Sequence, residues 1–202
     1  MNDAWEMKRI NEIFYSLQGE GYHTGTPAVF VRFSGCNLKC HFCDTLHNSG
    51  EVMTERDIVA RIMEYPQAPL IVLTGGEPSL FIDRDFVELL KHCTGKRVTI
   101  ETNGTNELPE NIDWVTLSPK GAYDGGMDFP LVIDSCDELK VVYVGQPLDD
   151  YFNIRASHYF LQPCYCDDEC ERMENIGKTV EAVMRDPRWR LSLQTHRFIN
   201  IR

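Results

Sequence analysis

The stretch from Ala28 to Cys43 reads AVFVRFSGCNLKCHFC. Its first part, Ala28 to Phe33, is apolar and rich in β-branched and aromatic residues apart from one arginine, which predicts a buried strand. The loop that follows carries Cys36, Cys40 and Cys43, separated by three and then two residues. Thiolates are favoured protein ligands of iron–sulfur clusters, and three of them leave one iron of a cubane open. We therefore predict that these three cysteines hold a [4Fe-4S] cluster.

A zinc site is the alternative for this loop, with His41 or His47 as the fourth ligand. Structural zinc normally has four closed ligands, usually contributed as two paired knuckles. No second cysteine or histidine pair stands at a convincing spacing, so the loop by itself favours the iron–sulfur interpretation over zinc.

Short apolar runs alternate with helical patterns along the rest of the chain, which predicts an α/β fold with a mainly parallel sheet and right-handed crossovers. Strands are predicted at Ala28 to Phe33, Leu70 to Leu73, Arg97 to Ile100, Trp114 to Leu117, Leu139 to Val144 and Tyr159 to Leu161, with a short one at Arg190 to Gln194. Helices are predicted at Thr54 to Glu64, where Thr54 and Asp57 suggest a capping box, at Asp83 to His92 and at Asn175 to Arg185. The glycine-rich and polar clusters follow the strands, at the edge where parallel sheets bind ligands.

The 202 residues carry a formal net charge of -11, which argues against sequence-independent binding to nucleic acid. The sequence has no apolar run of membrane-spanning length, and Met1 to Arg9 lacks a signal-peptide pattern. We therefore expect a cytoplasmic protein with reduced cysteines, folded as one domain over residues 1–202.

A second glycine motif, Thr74-Gly75-Gly76-Glu77-Pro78, follows the predicted strand after the cysteine loop. Together with the three-cysteine loop and the aromatic Phe42, it resembles the radical S-adenosylmethionine (SAM) superfamily. The resemblance implies a shortened, partly open parallel α/β barrel. It also implies that SAM binds the open iron and is cleaved by one electron to a 5′-deoxyadenosyl radical, which abstracts a hydrogen from the substrate.

Further stretches narrow this resemblance. They are Phe14-Tyr15-Ser16-Leu17-Gln18-Gly19-Glu20-Gly21, Gly25-Thr26-Pro27-Ala28, Cys43-Asp44-Thr45, Glu101-Thr102-Asn103-Gly104-Thr105, Ser118-Pro119-Lys120 and Gln194-Thr195-His196-Arg197. The series resembles the 7-carboxy-7-deazaguanine synthase family from about Ile13 onward. This resemblance implies conversion of 6-carboxy-5,6,7,8-tetrahydropterin to 7-carboxy-7-deazaguanine with loss of ammonia, in queuosine or related 7-deazapurine biosynthesis. It further implies Mg²⁺, a homodimer, and an electron donor such as flavodoxin or ferredoxin.

The same resemblance assigns roles to individual positions. Cluster ligands are Cys36, Cys40 and Cys43. SAM contacts are Phe42, Cys43, Asp44, Gly76, Ser118, Pro119, Lys120 and Gln162. Substrate contacts are Leu17, Gln18, Gly19, Arg32, Thr74 and Arg202, and candidates for the pterin edge are Glu20, Glu101 and His196. The magnesium ligand is Thr45.

Several of these assignments have an ordinary structural alternative. Arg32 offers a bidentate fork to a carboxylate, or it is a surface arginine at a strand edge. Thr45 offers oxygen to a hard cation, or it caps a turn. Lys120 could meet the SAM carboxylate or be a solvated loop charge, and His196 could be a ligand or a satisfied rim histidine.

Three cysteines, Cys164, Cys166 and Cys170, match no family role. Free thiols are favoured over a second metal site, because acidic neighbours would repel thiolates and a reducing compartment leaves thiols unpaired. Two rival functions stay open on the sequence. One is a glycyl-radical-enzyme activase, and the other is a non-catalytic iron–sulfur or zinc binding module.

Overall fold

The computed structural model describes residues 6–43, 49–120 and 130–202. Its strands are β1 (Met7–Leu17), β2 (Pro27–Phe33), β3 (Glu51–Thr54), β4 (Leu70–Gly75), β5 (Arg97–Thr102), β6 (Trp114–Leu117), β7 (Ser135–Tyr143), β8 (Arg155–Pro163) and β9 (Arg190–Leu191). Its helices are α1 (Glu55–Met63), α2 (Arg84–Thr94), α3 (Glu169–Arg185) and α4 (Thr195–Phe198), and two 3₁₀ turns lie at Pro78–Leu80 and Asp149–Asn153.

Across the described ranges, the nine strands form one sheet in the order β3-β1-β2-β4-β5-β6-β7-β8-β9. Strand β2 and strands β4 to β9 are parallel to one another. Strand β1 runs antiparallel to both β2 and β3. The sheet does not close, which confirms the predicted shortened, partly open α/β barrel. Every strand predicted from the sequence is present in the parallel part.

The antiparallel strands β1 and β3 are additions to the prediction. The alternation of apolar and polar residues in β1 is broken by a register shift between Ile10 and Glu12, so the apolar residues of this strand do not follow a period of two. The strand also buries a charged residue, Lys8, whose amine donates to the Phe81 carbonyl oxygen at 2.8 Å and pairs with Glu55 at 3.1 Å. A buried, paired lysine gives no strand signal in a hydrophobic pattern.

Alternation along the parallel strands places the polar side chains on one face. In β2, Val29, Val31 and Phe33 belong to the core beneath the helices, whereas Phe30 and Arg32 point to the opposite face. The same period places Thr74, Glu101, Lys140 and Gln162 on that opposite face. We call it the inner face.

The helices cover the outer face of the sheet. Phe86 and Leu90 of α2 and Ile58 of α1 pack in the core that contains Val29, Val31 and Phe33. Ala182 of α3 packs with Trp189. The predicted capping box of α1 is present, since Thr54 and Asp57 bond reciprocally.

Helix α3 begins six residues earlier than predicted, at Glu169, because the Asp168 side chain accepts a hydrogen bond from the Glu171 amide. Over the residues that the structure describes, no helix is both long and apolar enough to span a membrane.

The connection from β1 to β2 lies beneath the inner face. The Gly21 amide donates to Ser192 Oγ at 2.9 Å, and the Tyr22 amide donates to Glu138 Oε2 at 3.1 Å. An added Cβ on Gly21, whose φ is 63°, would collide with the Glu138 carboxylate. The connection therefore reaches from β2 across to β7 and to the residue after β9, and it closes the lower end of the inner face.

Candidate active site

A cavity of about 510 Å³ lies on the inner face, above this connection and at the carboxyl ends of the strands. It collects nearly all of the site residues predicted from the sequence. Those lining it are Leu17, Gln18, Gly19, Glu20, Arg32, Cys36, Cys40, Phe42, Cys43, Thr74, Gly76, Glu101, Ser118, Lys120, Gln162, His196 and Arg202. Pro119 is buried but does not line the cavity, and Asp44 and Thr45 lie outside the described residues.

The cysteine loop at the end of β2 is held by polar contacts to the loop after β5. The Asn37 side chain donates to Thr105 Oγ1 at 2.7 Å and accepts from Asn103 Nδ2 at 3.0 Å. The Cys36 sulfur accepts from the Leu38 amide at 3.4 Å. Burial raises the pKa of the Cys36 thiol, and the charge of Lys120 acts in the opposite direction.

The glycine motif after β4 lies directly against this loop. The Gly76 amide donates to the Phe33 carbonyl oxygen at 3.0 Å, and the Glu77 amide donates to that of Gly35 at 2.9 Å. Gly75 has a φ of 115°, a conformation that favours glycine. An added Cβ on Gly76 would overlap the Gly35 backbone. Glycine is therefore required at Gly76 for the close approach of the two loops.

Glu77 of this motif is almost fully buried, and its carboxylate connects neighbouring loops through hydrogen bonds. Its carboxylate accepts from Thr102 Oγ1 at 2.6 Å, from the Asn103 amide at 2.7 Å and from the Ser79 amide at 3.1 Å. Because Asn103 also bonds Asn37, the Glu77 carboxylate supports the cysteine loop through one intermediate residue.

The predicted SAM contacts beyond β6 sit next to the cysteine loop. Lys120 Nζ lies 2.7 Å from Ser118 Oγ and 5.8 Å from the centre of the Phe42 ring. Gln162, on β8, is buried, and its Oε1 accepts from Ser192 Oγ at 2.9 Å. A cation, a hydroxyl and an aromatic ring thus surround one end of the cavity.

A network of charged and amide side chains forms the opposite end, and we call it the polar floor. It comprises Gln18, Glu20, Thr74, Glu101, Lys140 and Gln194. Lys140 Nζ lies 2.5 Å from Glu20 Oε2 and 3.5 Å from Glu101 Oε1. Burial would raise the pKa of Glu20, but the charge and hydrogen bond of Lys140, with Gln194 and His196, lower it from 4.5 to about 2. The Glu20 carboxylate is therefore ionised at neutral pH.

Arginines stand at the rim of the cavity near β1. Arg32 Nε donates to Glu12 Oε1 at 3.0 Å, and the Arg202 guanidinium donates to the other oxygen of Glu12. Both guanidinium groups also lie over the Phe14 ring, at 5.8 Å for Arg32 and 5.0 Å for Arg202. Ser16 Oγ bonds the Arg202 main-chain oxygen at 2.6 Å. The rim therefore offers cationic donors for an anionic group.

Two comparisons identify the family. The sequence profile of the radical SAM superfamily matches residues 30–143. The 7-carboxy-7-deazaguanine synthase of Bacteroides thetaiotaomicron is 58% identical over 196 residues, which cover 97% of this chain and 100% of that protein. This chain belongs to the 7-carboxy-7-deazaguanine synthase family of the radical SAM superfamily.

Other members of the family are also similar to this chain. The 7-carboxy-7-deazaguanine synthase of Burkholderia multivorans is 39% identical over 95% of this chain and 98% of its own. Among solved structures, QueE from Escherichia coli superposes with a TM-score of 0.67 at 29% identity, covering 94% of this chain and 95% of that one. SuiB from Streptococcus suis, at 15% identity and a TM-score of 0.51, shares the fold over 83% of this chain and 48% of its own. The comparisons favour the synthase hypothesis over the activase and the binding module.

A [4Fe-4S] cluster and SAM are the cofactors of this family, and the residues present suit both. Cys36, Cys40 and Cys43 line one cavity, and three soft thiolate donors match iron. Within residues 6–43, 49–120 and 130–202, no three cysteine, histidine or acidic side chains converge on a closed metal cage. Cys36, Cys40 and Cys43 would hold the cluster. Gly76 and Lys120 leave space and a positive charge beside them.

The family match leaves Cys164, Cys166 and Cys170 without a role. Cys164 lines the cavity and an adjoining pocket, whereas Cys170 lies in the first turn of α3. None of the three forms a disulfide with another described cysteine, and none belongs to a metal-binding group of the described residues.

Sequence reasoning missed several residues of the site. Lys140 is the one charged residue in the predicted strand Leu139 to Val144. This is a usable signal, because a lysine is buried only when it is paired. Glu12 and Gln194 gave no such signal, because their partners Arg202 and Glu20 are remote in the sequence.

Proposed function

We propose that this chain converts 6-carboxy-5,6,7,8-tetrahydropterin to 7-carboxy-7-deazaguanine with loss of ammonia. The observation that carries the proposal is the arrangement of this cavity, with the cysteine and glycine loops at one end and the polar floor at the other. The 58% identical relative, matched over its whole length, carries the name of this synthase. The cavity volume of about 510 Å³ lies within the range of small-molecule sites.

Cys36, Cys40 and Cys43 would hold the cluster, with Phe42, Asp44, Gly76, Ser118, Pro119, Lys120 and Gln162 around SAM. When bound, cluster and SAM supply the radical that removes a hydrogen from the substrate. The protein itself contributes orientation and exclusion of water. Lys120 would balance the SAM carboxylate, a role supported by its position beside Phe42 and Ser118 at the cysteine end of the cavity.

Arg32 would bind the substrate carboxylate through its guanidinium, with Arg202 beside it at the same rim. Leu17, Gln18, Gly19 and Thr74 would also contact the substrate, and all four line the same cavity. Glu20, Glu101 and His196 would meet the pterin ring edge, where donors of the ring need acceptors.

Thr45 would contribute an oxygen to Mg²⁺, a proposal that rests on the family resemblance because Thr45 lies outside the described residues. Turnover measured against Mg²⁺ concentration for Thr45→Ala tests it, and unchanged stimulation by Mg²⁺ would exclude Thr45 as the ligand.

We also propose that the chain is a single domain, supported by one continuous sheet over its described length. We further propose that the protein is a cytoplasmic homodimer and that flavodoxin or ferredoxin reduces it, which the family supports. The net charge of -11 supports the proposal that it does not bind nucleic acid.

Anaerobic reconstitution tests the function directly. The protein, loaded with iron and sulfide, is mixed with SAM, a reductant and the carboxytetrahydropterin, and the products are separated by mass spectrometry. The expected product is 7-carboxy-7-deazaguanine, formed only when SAM and reductant are both present. SAM cleavage without conversion of the pterin contradicts the proposal.

A further inference from the structure

The centre of the polar floor is Lys140, in the middle of β7. Its side chain is only 6% exposed, and its ammonium group lies 2.5 Å from Glu20 Oε2 and 3.5 Å from Glu101 Oε1. The two carboxylates come from different parts of the fold, one from the β1–β2 connection and one from β5. Lys140 is thus the contact that joins them across the bottom of the cavity.

The remaining oxygens of the two carboxylates are also fixed. Glu101 Oε2 accepts from Thr74 Oγ1 at 2.7 Å, and Glu101 Oε1 accepts from Gln18 Nε2 at 3.2 Å. Glu20 Oε1 accepts from Gln194 Nε2 at 2.9 Å. Each carboxylate is therefore held at both oxygens while its residue still lines the cavity. A carboxylate oxygen has two lone pairs, and Glu101 Oε1 uses both, so the acceptor capacity left for a ligand lies on Glu101 Oε2 and on both oxygens of Glu20.

The charges around Lys140 explain why it positions other groups and does not transfer a proton. Glu20, Glu101 and Glu138 face it, and His196 lies near Glu20. Burial would lower the pKa of Lys140, but the three carboxylates outweigh burial and raise it. The ammonium group therefore keeps its proton at neutral pH. One cation among three acidic groups leaves the polar floor rich in acceptors.

We propose that Lys140 is a positioning residue that fixes the carboxylates of Glu20 and Glu101 at the spacing needed to recognise the hydrogen-bond donor edge of a 2-amino-4-oxopteridine. This inference rests on the proposed function, because it assigns that substrate to this cavity. In such a ring the exocyclic amine and the neighbouring ring N–H both donate. A carboxylate accepts from both at once.

The same arrangement excludes a close analogue. A pteridine with oxygen in place of the 2-amino group presents an acceptor to the carboxylates, and two acceptors facing each other without a proton repel. Sites that hydrogen-bond a substrate donor reject the analogue that lacks it, because their buried polar groups are then left unpaired. Fixing both carboxylates removes their ability to turn away, so Lys140 contributes to specificity without touching the ring.

The test compares binding of 6-carboxypterin and 6-carboxylumazine, both fluorescent, to the anaerobic, cluster-loaded protein with SAM. We expect the wild-type protein to bind the pterin tighter by roughly tenfold or more. In Lys140→Met this preference should fall to near one, and the KM for carboxytetrahydropterin should rise roughly tenfold with a smaller change in kcat. Lys140→Arg, which keeps the charge, should recover part of the preference.

Lys8→Met is the matched control, because Lys8 is equally buried and paired with Glu55 but does not line the cavity. It should lower thermal stability and leave the pterin preference unchanged. If Lys140→Met does not load its cluster, Lys140→Gln decides the question, since it keeps a donor in the network and removes the charge. Lys140→Gln should also lose most of the preference for the pterin over the lumazine.

An unchanged preference in a folded Lys140→Met or Lys140→Gln variant overturns the inference. An equal loss of the pterin preference in Lys8→Met overturns the inference as well, since the effect would then come from general destabilisation. Failure of the proposed function has a different signature, because the wild-type protein would then cleave SAM without converting the carboxytetrahydropterin.

Discussion

A methyl group added to Gly76 would lie 1.9 Å from the carbonyl oxygen of Gly35. Gly35 immediately precedes the cysteine loop, so the two loops approach as closely as their backbones allow. The neighbouring carbonyl belongs to the main chain and cannot rotate away as a side chain could. The close contact makes the glycine motif a direct support of the cysteine loop as well as a place for a ligand.

Gly76→Ala should therefore displace the cysteine loop. We expect iron content and SAM affinity to fall together, each by roughly tenfold, because overpacking typically costs about 1–3 kcal/mol. Iron analysis and calorimetric titration with SAM measure the two effects. Gly177→Ala is the control, since nothing lies within 4 Å of its added Cβ, and it should stabilise helix α3 by about 1 kcal/mol. Normal iron loading in Gly76→Ala would contradict the steric argument.

The thiol assignment predicts iron stoichiometry. The wild-type protein should bind about four irons per chain, and Cys40→Ala should lose the cluster and all SAM cleavage. The triple variant Cys164→Ser, Cys166→Ser, Cys170→Ser should keep about four irons, because the loop after β2 supplies the three thiols that a [4Fe-4S] cluster with one open iron needs. Iron and sulfide analysis measures both variants. About eight irons in the wild-type protein, halved in the triple variant, would instead indicate a second cluster.

The sequence predicted the parallel strands and most of the cavity lining because both follow from local patterns. Apolar runs of strand length locate the sheet, and the motifs that follow them must meet at one edge. The polar floor could not be predicted in this way. Glu20 and Lys140 are 120 residues apart, and their contact depends on how the β1–β2 connection crosses beneath β7. Strand β1 escaped prediction because its bulge and its buried Lys8 break the alternation.

Arg32→Ala should weaken the binding of 6-carboxypterin more than that of SAM. The Arg32 side chain is 23% exposed and shares Glu12 with Arg202, so its loss leaves a second cation at the rim. We expect a cost of about 2 kcal/mol, or roughly 30-fold in affinity, for the pterin. Calorimetric titrations with each ligand provide the measurement, and Arg155→Ala, an exposed arginine paired with Asp134, is the control. Equal weakening for both ligands would mean that Arg32 supports the fold.

The Glu20 carboxylate makes the stability of the protein depend on acid pH. Its pKa is lowered from 4.5 to about 2 in the folded state, so an unfolded chain takes up the proton first as the pH falls. The stabilisation is complete above pH 4.5, declines as the pH falls below that value, and is lost by about pH 2. Lys140 stays charged throughout this window, because its own pKa is raised.

Glu20→Gln should remove this dependence. Urea unfolding of the cluster-free proteins between pH 6 and pH 3 gives the free energy of unfolding of the wild type and of Glu20→Gln. In the wild type, on the order of 2–3 kcal/mol of this free energy is expected to depend on Glu20. Glu138 contributes with the opposite sign, because burial raises its pKa. Its contribution is common to both proteins, so the wild-type stability minus that of Glu20→Gln isolates Glu20. This difference should shrink steadily as the pH falls below 4.5. A difference that stays constant with pH would mean that Lys140 does not hold Glu20 ionised.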